Sequence, residues 1–227
     1  MSGDPLAALA MRAMDLITNG STIGLGSGRA ALAFVEVLAR EIQRGLSVRG
    51  VPTSEETARR ARELGIPLVE LGEAELDVTM DGADEVDPDL NLLKGAGGAL
   101  ARERIVAAAS RRQIILVGAD KLVPALGTRA RLPVEVIPFA AAPSRRRLRE
   151  LGYKPELRRR GAAPFVTDNG NVILDCETGP LTDPAAVERA IRAIPGVVDT
   201  GLFLGTAETV LVADGDTVRV LSRKGKS

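Results

Sequence analysis

"LDVTMDGADEVDPDLNLLKGAGGALARERIVAAASRRQIILVGA", residues 76–119, holds the pattern that decides the fold. It opens on a short apolar strand, LDVTMDG, and closes on a more strongly apolar one, RQIILVGA. Between them GGALARERIVAAAS reads as a helix. Strand, helix and strand in that order predict a parallel sheet flanked by helices. The same stretch is chemically crowded. Asp81, Asp84, Glu85 and Asp87 put four carboxylates within seven residues, and Lys94 stands before Gly95, Gly97 and Gly98.

Toward the N-terminus the alternation continues. Asp4, Pro5 and Asn19-Gly20 are cap, first-turn and stop signals around a first helix. STIGLG is a strand, RAALAFVEVLAREIQRGL a helix and SVRGVPT a strand. SEETARRARELG is a helix with Ser54 as cap and Gly65 as stop, and IPLVEL reads as another strand. Past about residue 130 the order changes. LPVEVIPFA, PSRRRLRELG, YKPELRRR, APFVTDNGNVILDCE, DPAAVERAIRAIPG and VVDTGLFLG run strand, helix, strand, strand, helix, strand, with Asn169-Gly170 as a hairpin turn. That is the split βαβ order of a ferredoxin-like unit. ETVLVADGDTVRVLSR adds two strands that can rejoin the first sheet. The expected domains are 1–130 plus 206–227, a Rossmann-like catalytic domain, and 131–205, a ferredoxin-like α+β lid.

Composition narrows the chemistry. The chain has 227 residues, ample for a core, with 30 basic and 30 acidic side chains. A neutral balance gives no reason to expect a nucleic-acid or membrane partner. No apolar run is long enough to span a bilayer, and the first 20 residues lack a basic n-region. Cys176 is the single cysteine, so no internal disulfide forms, and a reducing, cytoplasmic setting is expected. Histidine is absent, which removes the commonest general base and nearly all zinc sites. Proton transfer then falls to Asp, Glu, Lys or Tyr. Only 5 of the 30 basic residues are lysines, so a lysine at 94 or 121 suggests a need for a compact ammonium.

Three constellations follow. GLGSGRA, residues 24–30, joins a strand to a helix and offers backbone N–H groups, the Ser27 hydroxyl and the Arg29 guanidinium to an anion. Its glycine spacing fits neither a P-loop nor the dinucleotide fingerprint. A tight turn without ligand is the plainer alternative. At the carboxyl end of LDVTM, Asp81 and Asp84 flank Gly82 and Ala83, so both carboxylates can reach one pocket. Oxygen ligation of a metal is a rival there, weakened by Lys94, and a solvated loop is the plain reading. Asp87 and Asp89 flank a proline as turn residues. Lys94, the glycines and Glu103 in the following helix complete a set suited to proton abstraction beside the carbonyl of a phosphorylated sugar.

With these residues in place, the chain resembles ribose-5-phosphate isomerase, type A. TIGLGSGRAA, DVTMDGADEVDPDLNLLKGAGGALARERIVA, LPVEVIPFA, FVTDNGNVILD and IPGVVDTGLF carry the resemblance, in order, over nearly the whole chain. It implies the CoA-transferase and ribose-5-phosphate isomerase superfamily fold with a ferredoxin-like lid. It implies interconversion of ribose 5-phosphate and ribulose 5-phosphate without metal or cofactor, in a homodimer or homotetramer. Glu103 matches the family's base and Lys94 the lysine at the sugar oxygens. Asp81 and Asp84 match the aspartates of ring opening and hydroxyl contact, and Lys121 a further contact. Ser27, Gly28, Arg29 and Ala30 lie where the family holds phosphate. Gly82, Ala83, Gly95, Ala96 and Gly97 supply backbone around the sugar. Bound substrate would desolvate Glu103 and raise its pKa.

Two departures from the family pattern come early in the chain: residues 6–10 of the first helix lack the lysine that some members carry there, and the phosphate loop differs from its usual Gly-Thr-Gly-Ser-Thr. Here two hydroxyls vanish and Arg29 appears. Ala96 replaces a common glycine, which matters only if that position needs a positive φ. The alternative to an enzyme is a non-catalytic sugar-phosphate-binding or sensor protein of the same fold.

Overall fold

The computed structural model describes residues 5–72, 75–215 and 217–223. In chain order come α1 (Pro5–Met14), β1 (Thr22–Leu25), α2 (Gly28–Gln43), β2 (Arg49–Pro52), α3 (Glu55–Glu63) and β3 (Val78–Asp81). Then follow β4 (Glu85–Val86), β5 (Leu92–Leu93), α4 (Leu100–Ala108), β6 (Gln113–Gly118), β7 (Leu132–Val136), α5 (Ala141–Glu150) and β8 (Lys154–Leu157). The rest are β9 (Arg159–Arg160), β10 (Ala163–Pro164), β11 (Val172–Glu177), α6 (Pro184–Arg192), β12 (Val197–Thr200), β13 (Leu202–Phe203), β14 (Thr209–Asp214) and β15 (Thr217–Ser222). No helix among the described residues is long and apolar enough to cross a membrane.

The chain divides into two compact units. The first is 1–83, 102–121 and 205–227; the second is 84–101 and 122–204. Residues 84–101 and 122–130 thus group with the second unit, where the order of predicted elements assigns them to the first.

The first unit is built on a six-stranded sheet of order β15-β14-β6-β3-β1-β2. β2, β1, β3, β6 and β14 are parallel, and β15 closes the edge antiparallel to β14. The C-terminal strands therefore do rejoin the first sheet. Central β6 is buried along Gln113–Val117, as a strand covered on both faces must be. One face packs Ile23, Leu25, Phe34, Leu38, Met80, Ile114 and Leu116 around Leu9 of α1. The other sets Val51, Leu76 and Val106 together. β1 sends the chain to β2 on one side, and the chain returns to β3 on the other, so β1 and β3 border the topological switch point.

The second unit carries an antiparallel sheet of order β12-β7-β11-β8. Numbered within the βαββαβ repeat this is 4-1-3-2, the ferredoxin-like arrangement. Alternation along β7 sends Leu132, Val134 and Val136 into a core with Leu174, Cys176, Leu148 and Ile191. A three-stranded sheet, β13-β5-β4, belongs to the same unit.

Local signals resolve unevenly. The Ser54 side chain caps α3 by accepting from the Thr57 N–H at 3.1 Å. Asn169-Gly170 forms the expected turn, with Thr167 N–H donating to the Asn171 carbonyl at 2.8 Å. Asp4 lies outside the described residues. α1 ends at Met14, ahead of the Asn19-Gly20 stop, whose Asn19 side chain instead accepts from the Ser47 N–H. IPLVEL is not a strand; it makes one bridge, Leu68 to Gly50, because neither Pro67 nor Pro52 of β2 has the N–H that would extend the ladder in its direction. VVDTGLFLG is two strands, broken at Gly201, where an added Cβ would stand 2.3 Å from the Lys94 carbonyl oxygen.

Candidate functional site

In the first unit, Ser27–Ala30, Asp81–Ala83 and Lys121 stand at the carboxyl ends of three adjacent strands, β1, β3 and β6. Asp81 ends β3 and is fully buried. Its Oδ1 accepts from the backbone N–H of Ser27 at 3.0 Å and of Gly82 at 2.8 Å. Charge-assisted bonds of this kind fix a carboxylate firmly. The loop after β1 and the end of β3 are thereby joined across the switch point.

Two glycines of GLGSGRA exist for this join. A Cβ on Gly24 would lie 2.1 Å from Thr79 Oγ1, and one on Gly26 would lie 2.2 Å from Asp81 Oδ1. From sequence both suggest an anion cradle; their geometry is that of close packing against β3. Gly28 differs. It sits at φ +81 with open space around it, and it starts α2. Gly28 and Arg29 are exposed, at the N-terminal end of a 16-residue helix, and Ala30 is half-buried. Ser27 does not use its hydroxyl to cap α2; Oγ lies 2.8 Å from Thr53 Oγ1 instead.

Thr53 belongs to none of the three sequence constellations. It follows β2 directly, bonds the Leu25 carbonyl through both N–H (2.9 Å) and hydroxyl (3.1 Å), and is buried. Its position one step past a parallel strand is the signal that marks it. Thr57 of α3 adds a hydroxyl bond to the Gly26 carbonyl at 2.9 Å.

Gly82 sits beside the same loop. A Cβ added to it would stand 3.8 Å from the Ser27 carbonyl oxygen and 3.9 Å from that of Leu116. Ala83 and Lys121 are partly exposed, Lys121 closing the short helix Ala119–Lys121 after β6. Glu103 is in the first turn of α4 and is 5% exposed. A carboxylate at that depth is not the surface residue that its sequence neighbours suggest. Arg102 pairs with Glu55 of α3 at 2.8 Å, which holds the exposed Glu55 carboxyl below its ordinary pKa.

In the second unit, Lys94 is buried, 2% exposed, its Nζ 5.5 Å from the Phe203 ring centroid. Its backbone N–H donates to the Gly201 carbonyl. Gly95 has φ +106, a conformation that favours glycine. Ala96 is not among the positive-φ residues, so alanine there is unstrained. Asp84 Oδ2 accepts from the Ala96 N–H at 2.9 Å, and Ala96 and Gly97 are exposed.

The acidic stretch is not one loop. β4 and β5 make a hairpin, with Glu85 opposite Leu93 and Val86 opposite Leu92. Two-residue strands carry too little periodicity to be read from sequence. Glu85 is 1% exposed and accepts from the N–H groups of Gly127, Arg129 and Ala130 at 2.6, 2.6 and 2.7 Å. Asp87 accepts from Asp89 and Asn91, as a turn residue does. Two of the four clustered carboxylates are therefore structural. Among the described residues no group of three or more His, Cys, Asp or Glu is placed to hold a metal ion.

Residues 49–217 match the family model described as ribose 5-phosphate isomerase A (phosphoriboisomerase A). A ribose-5-phosphate isomerase A from Gloeobacter violaceus is 51% identical over 215 residues, 94% of each chain. One from Roseiflexus sp. is 50% identical over 92% of this chain and 91% of that one. Among solved structures, ribose 5-phosphate isomerase A from Methanocaldococcus jannaschii aligns with a TM-score of 0.92 at 38% identity, covering 96% of this chain and 98% of its own. A D-ribose-5-phosphate isomerase in complex with phospho-erythronic acid aligns at 0.94 with 37% identity, covering 98% and 100%.

Proposed function

The chain belongs to the ribose 5-phosphate isomerase A family, and we propose that Glu103 is the base through which it works. The protein is an aldose–ketose isomerase that interconverts D-ribose 5-phosphate and D-ribulose 5-phosphate.

The reaction moves one proton between carbons and one between oxygens. The Glu103 carboxylate takes the proton from C2 of the open-chain aldose. The C2–H electron pair becomes the C1–C2 double bond, and the carbonyl pair moves to O1, giving an enediolate. The Glu103 carboxyl returns the proton to C1 while O2 loses its proton and C2 becomes the ketone. O1 ends as a hydroxyl. Every atom of the substrate is retained.

The Lys94 ammonium lies at the sugar oxygens and stabilises the enediolate charge. Asp81 and Asp84 open the ring and hold hydroxyls, and Lys121 adds a contact. Gly82, Ala83, Gly95, Ala96 and Gly97 present backbone to the sugar. Ser27, Gly28, Arg29 and Ala30 hold the phosphate, with the α2 N–H groups and the Arg29 guanidinium standing in for the missing hydroxyls. The active species is a homodimer or homotetramer in the cytoplasm.

A carboxylate 5% exposed in the first turn of α4, in a chain with no histidine, carries the assignment of the base. Turnover in D2O tests it. Native protein is expected to exchange solvent deuterium into the transferred position, and Glu103→Gln to exchange none. Exchange that persists in the variant assigns the base elsewhere.

A further inference from the structure

Arg158 lies between β8 and β9, 15% exposed in its side chain. Its donors divide two ways. Nε and Nη2 hold the carboxylate of Asp175 on β11, at 2.8 and 2.5 Å. Nη1 donates to the carbonyl oxygens of Gly95 at 2.8 Å and of Ala96 at 3.0 Å. Those two carbonyls belong to consecutive peptide units of the lysine–glycine loop.

A trans peptide unit points its C=O and its N–H in opposite directions. With both carbonyls turned onto the guanidinium, the N–H groups of Ala96 and Gly97 are turned away from it. The first of them meets Asp84 Oδ2 at 2.9 Å. The second belongs to an exposed residue whose added Cβ would meet nothing within 4 Å. Phe165 fixes the other end of the loop. Its ring centroid is 5.8 Å from the Arg158 guanidinium, and its edge would lie 2.5 Å from a Cβ on Gly98.

We propose that Arg158 is a positioning residue for the isomerase reaction: anchored by Asp175, it sets two peptide units so that Ala96 holds Asp84 and Gly97 presents its N–H to the sugar. The proposal rests on the reading that Asp84 and residues 94–97 contact the sugar. Lysine cannot replace Arg158. Its single nitrogen cannot span a carboxylate and two carbonyls, whereas a planar guanidinium does so in one rigid fork.

A double-mutant cycle on kcat/KM tests the proposal. Arg158→Lys is expected to lower kcat/KM about 10- to 100-fold in the native background, the scale of a small misplacement near the chemistry. In an Asp84→Asn background the same change is expected to cost at least about 3-fold less than in the native background, because the part of its effect that passes through Asp84 is already lost. Arg159→Gln, whose native guanidinium donates to the Ala162 carbonyl, is the control and keeps native activity. Equal losses in both backgrounds, or no loss in either, overturn the proposal. If Arg158→Lys does not fold, Asp175→Asn keeps the arginine, loosens its anchor and goes through the same cycle with the same expectation. Native activity in Asp84→Asn removes the underlying reading and the proposal with it. An impaired Asp84→Asn with an additive Arg158→Lys overturns the proposal alone.

Discussion

The backbone N–H of Ser27 donates to the carboxylate of Asp81 at 3.0 Å, across the switch point between β1 and β3. One side chain therefore both closes the fold of the phosphate-loop candidate and stands among the candidate sugar contacts. The two duties can be separated. Asp81→Asn keeps an oxygen that accepts from Ser27 and Gly82, removes the charge and turns the second oxygen into an amide donor. It is expected to melt close to the native temperature and to lose about tenfold or more in kcat. Asp81→Ala orphans both donors and is expected to cost about 1–3 kcal/mol of stability, read by urea denaturation.

The neighbouring glycine gives a sharper contrast. Gly26→Ala would place a Cβ 2.2 Å from Asp81 Oδ1 and 2.6 Å from Asp81 Cα, so backbone must move. A loss of about 1–3 kcal/mol follows from such overpacking. Gly97→Ala meets nothing within 4 Å and is expected to leave stability unchanged while raising KM. Paired melting curves and kinetics check both. A stable Gly26→Ala would mean that the join between β1 and β3 is loose.

Within the acidic stretch, Glu85 and Asp84 are adjacent yet differ in task. Glu85→Ala leaves three backbone N–H groups without their acceptor, and about 3 kcal/mol of stability is expected to go. Below its melting temperature the variant should turn over near the native rate. A folded Glu85→Ala with kcat lowered more than about tenfold would assign Glu85 to the chemistry.

Much of this is legible in the sequence, and what is not has a common cause. The β1–loop–α2 unit, the Lys94 loop and the Ser54 cap are local patterns, and local patterns survive in one dimension. IPLVEL misleads because Pro67 within it and Pro52 opposite it outweigh its apolar run. The Glu85 cradle joins residues 42 to 45 apart, and the Arg158 clamp residues 62 and 63 apart. Nothing in RRR at 158–160 distinguishes the half-buried clamp from its two exposed neighbours. Gly24 and Gly26 stand out in the sequence, but their close packing against Thr79 and Asp81 does not, since only the sheet shows what stands opposite them.

Cys176 supplies a pH prediction. Burial in β11 pushes its thiol up to about 12 from an ordinary value of 9. Between those values the unfolded chain gives up the proton and the folded chain keeps it. Stability from this group is therefore complete below about pH 9 and is lost as pH rises toward 12. The urea midpoint of the native protein should fall further between about pH 8 and about pH 10.5 than that of Cys176→Ala, which has no thiol to titrate. The native thiol should also resist alkylation at about pH 8. Rapid alkylation of folded protein would contradict its burial.

The central claim is that Glu103 carries the proton in a reaction that needs no metal. Ribulose 5-phosphate formation from ribose 5-phosphate, in EDTA, measured for the native protein and Glu103→Gln, tests it most directly. The account predicts full native turnover and a variant that folds normally but loses activity by orders of magnitude. Comparable turnover in the variant, or native turnover abolished by EDTA and restored by a divalent cation, would contradict it.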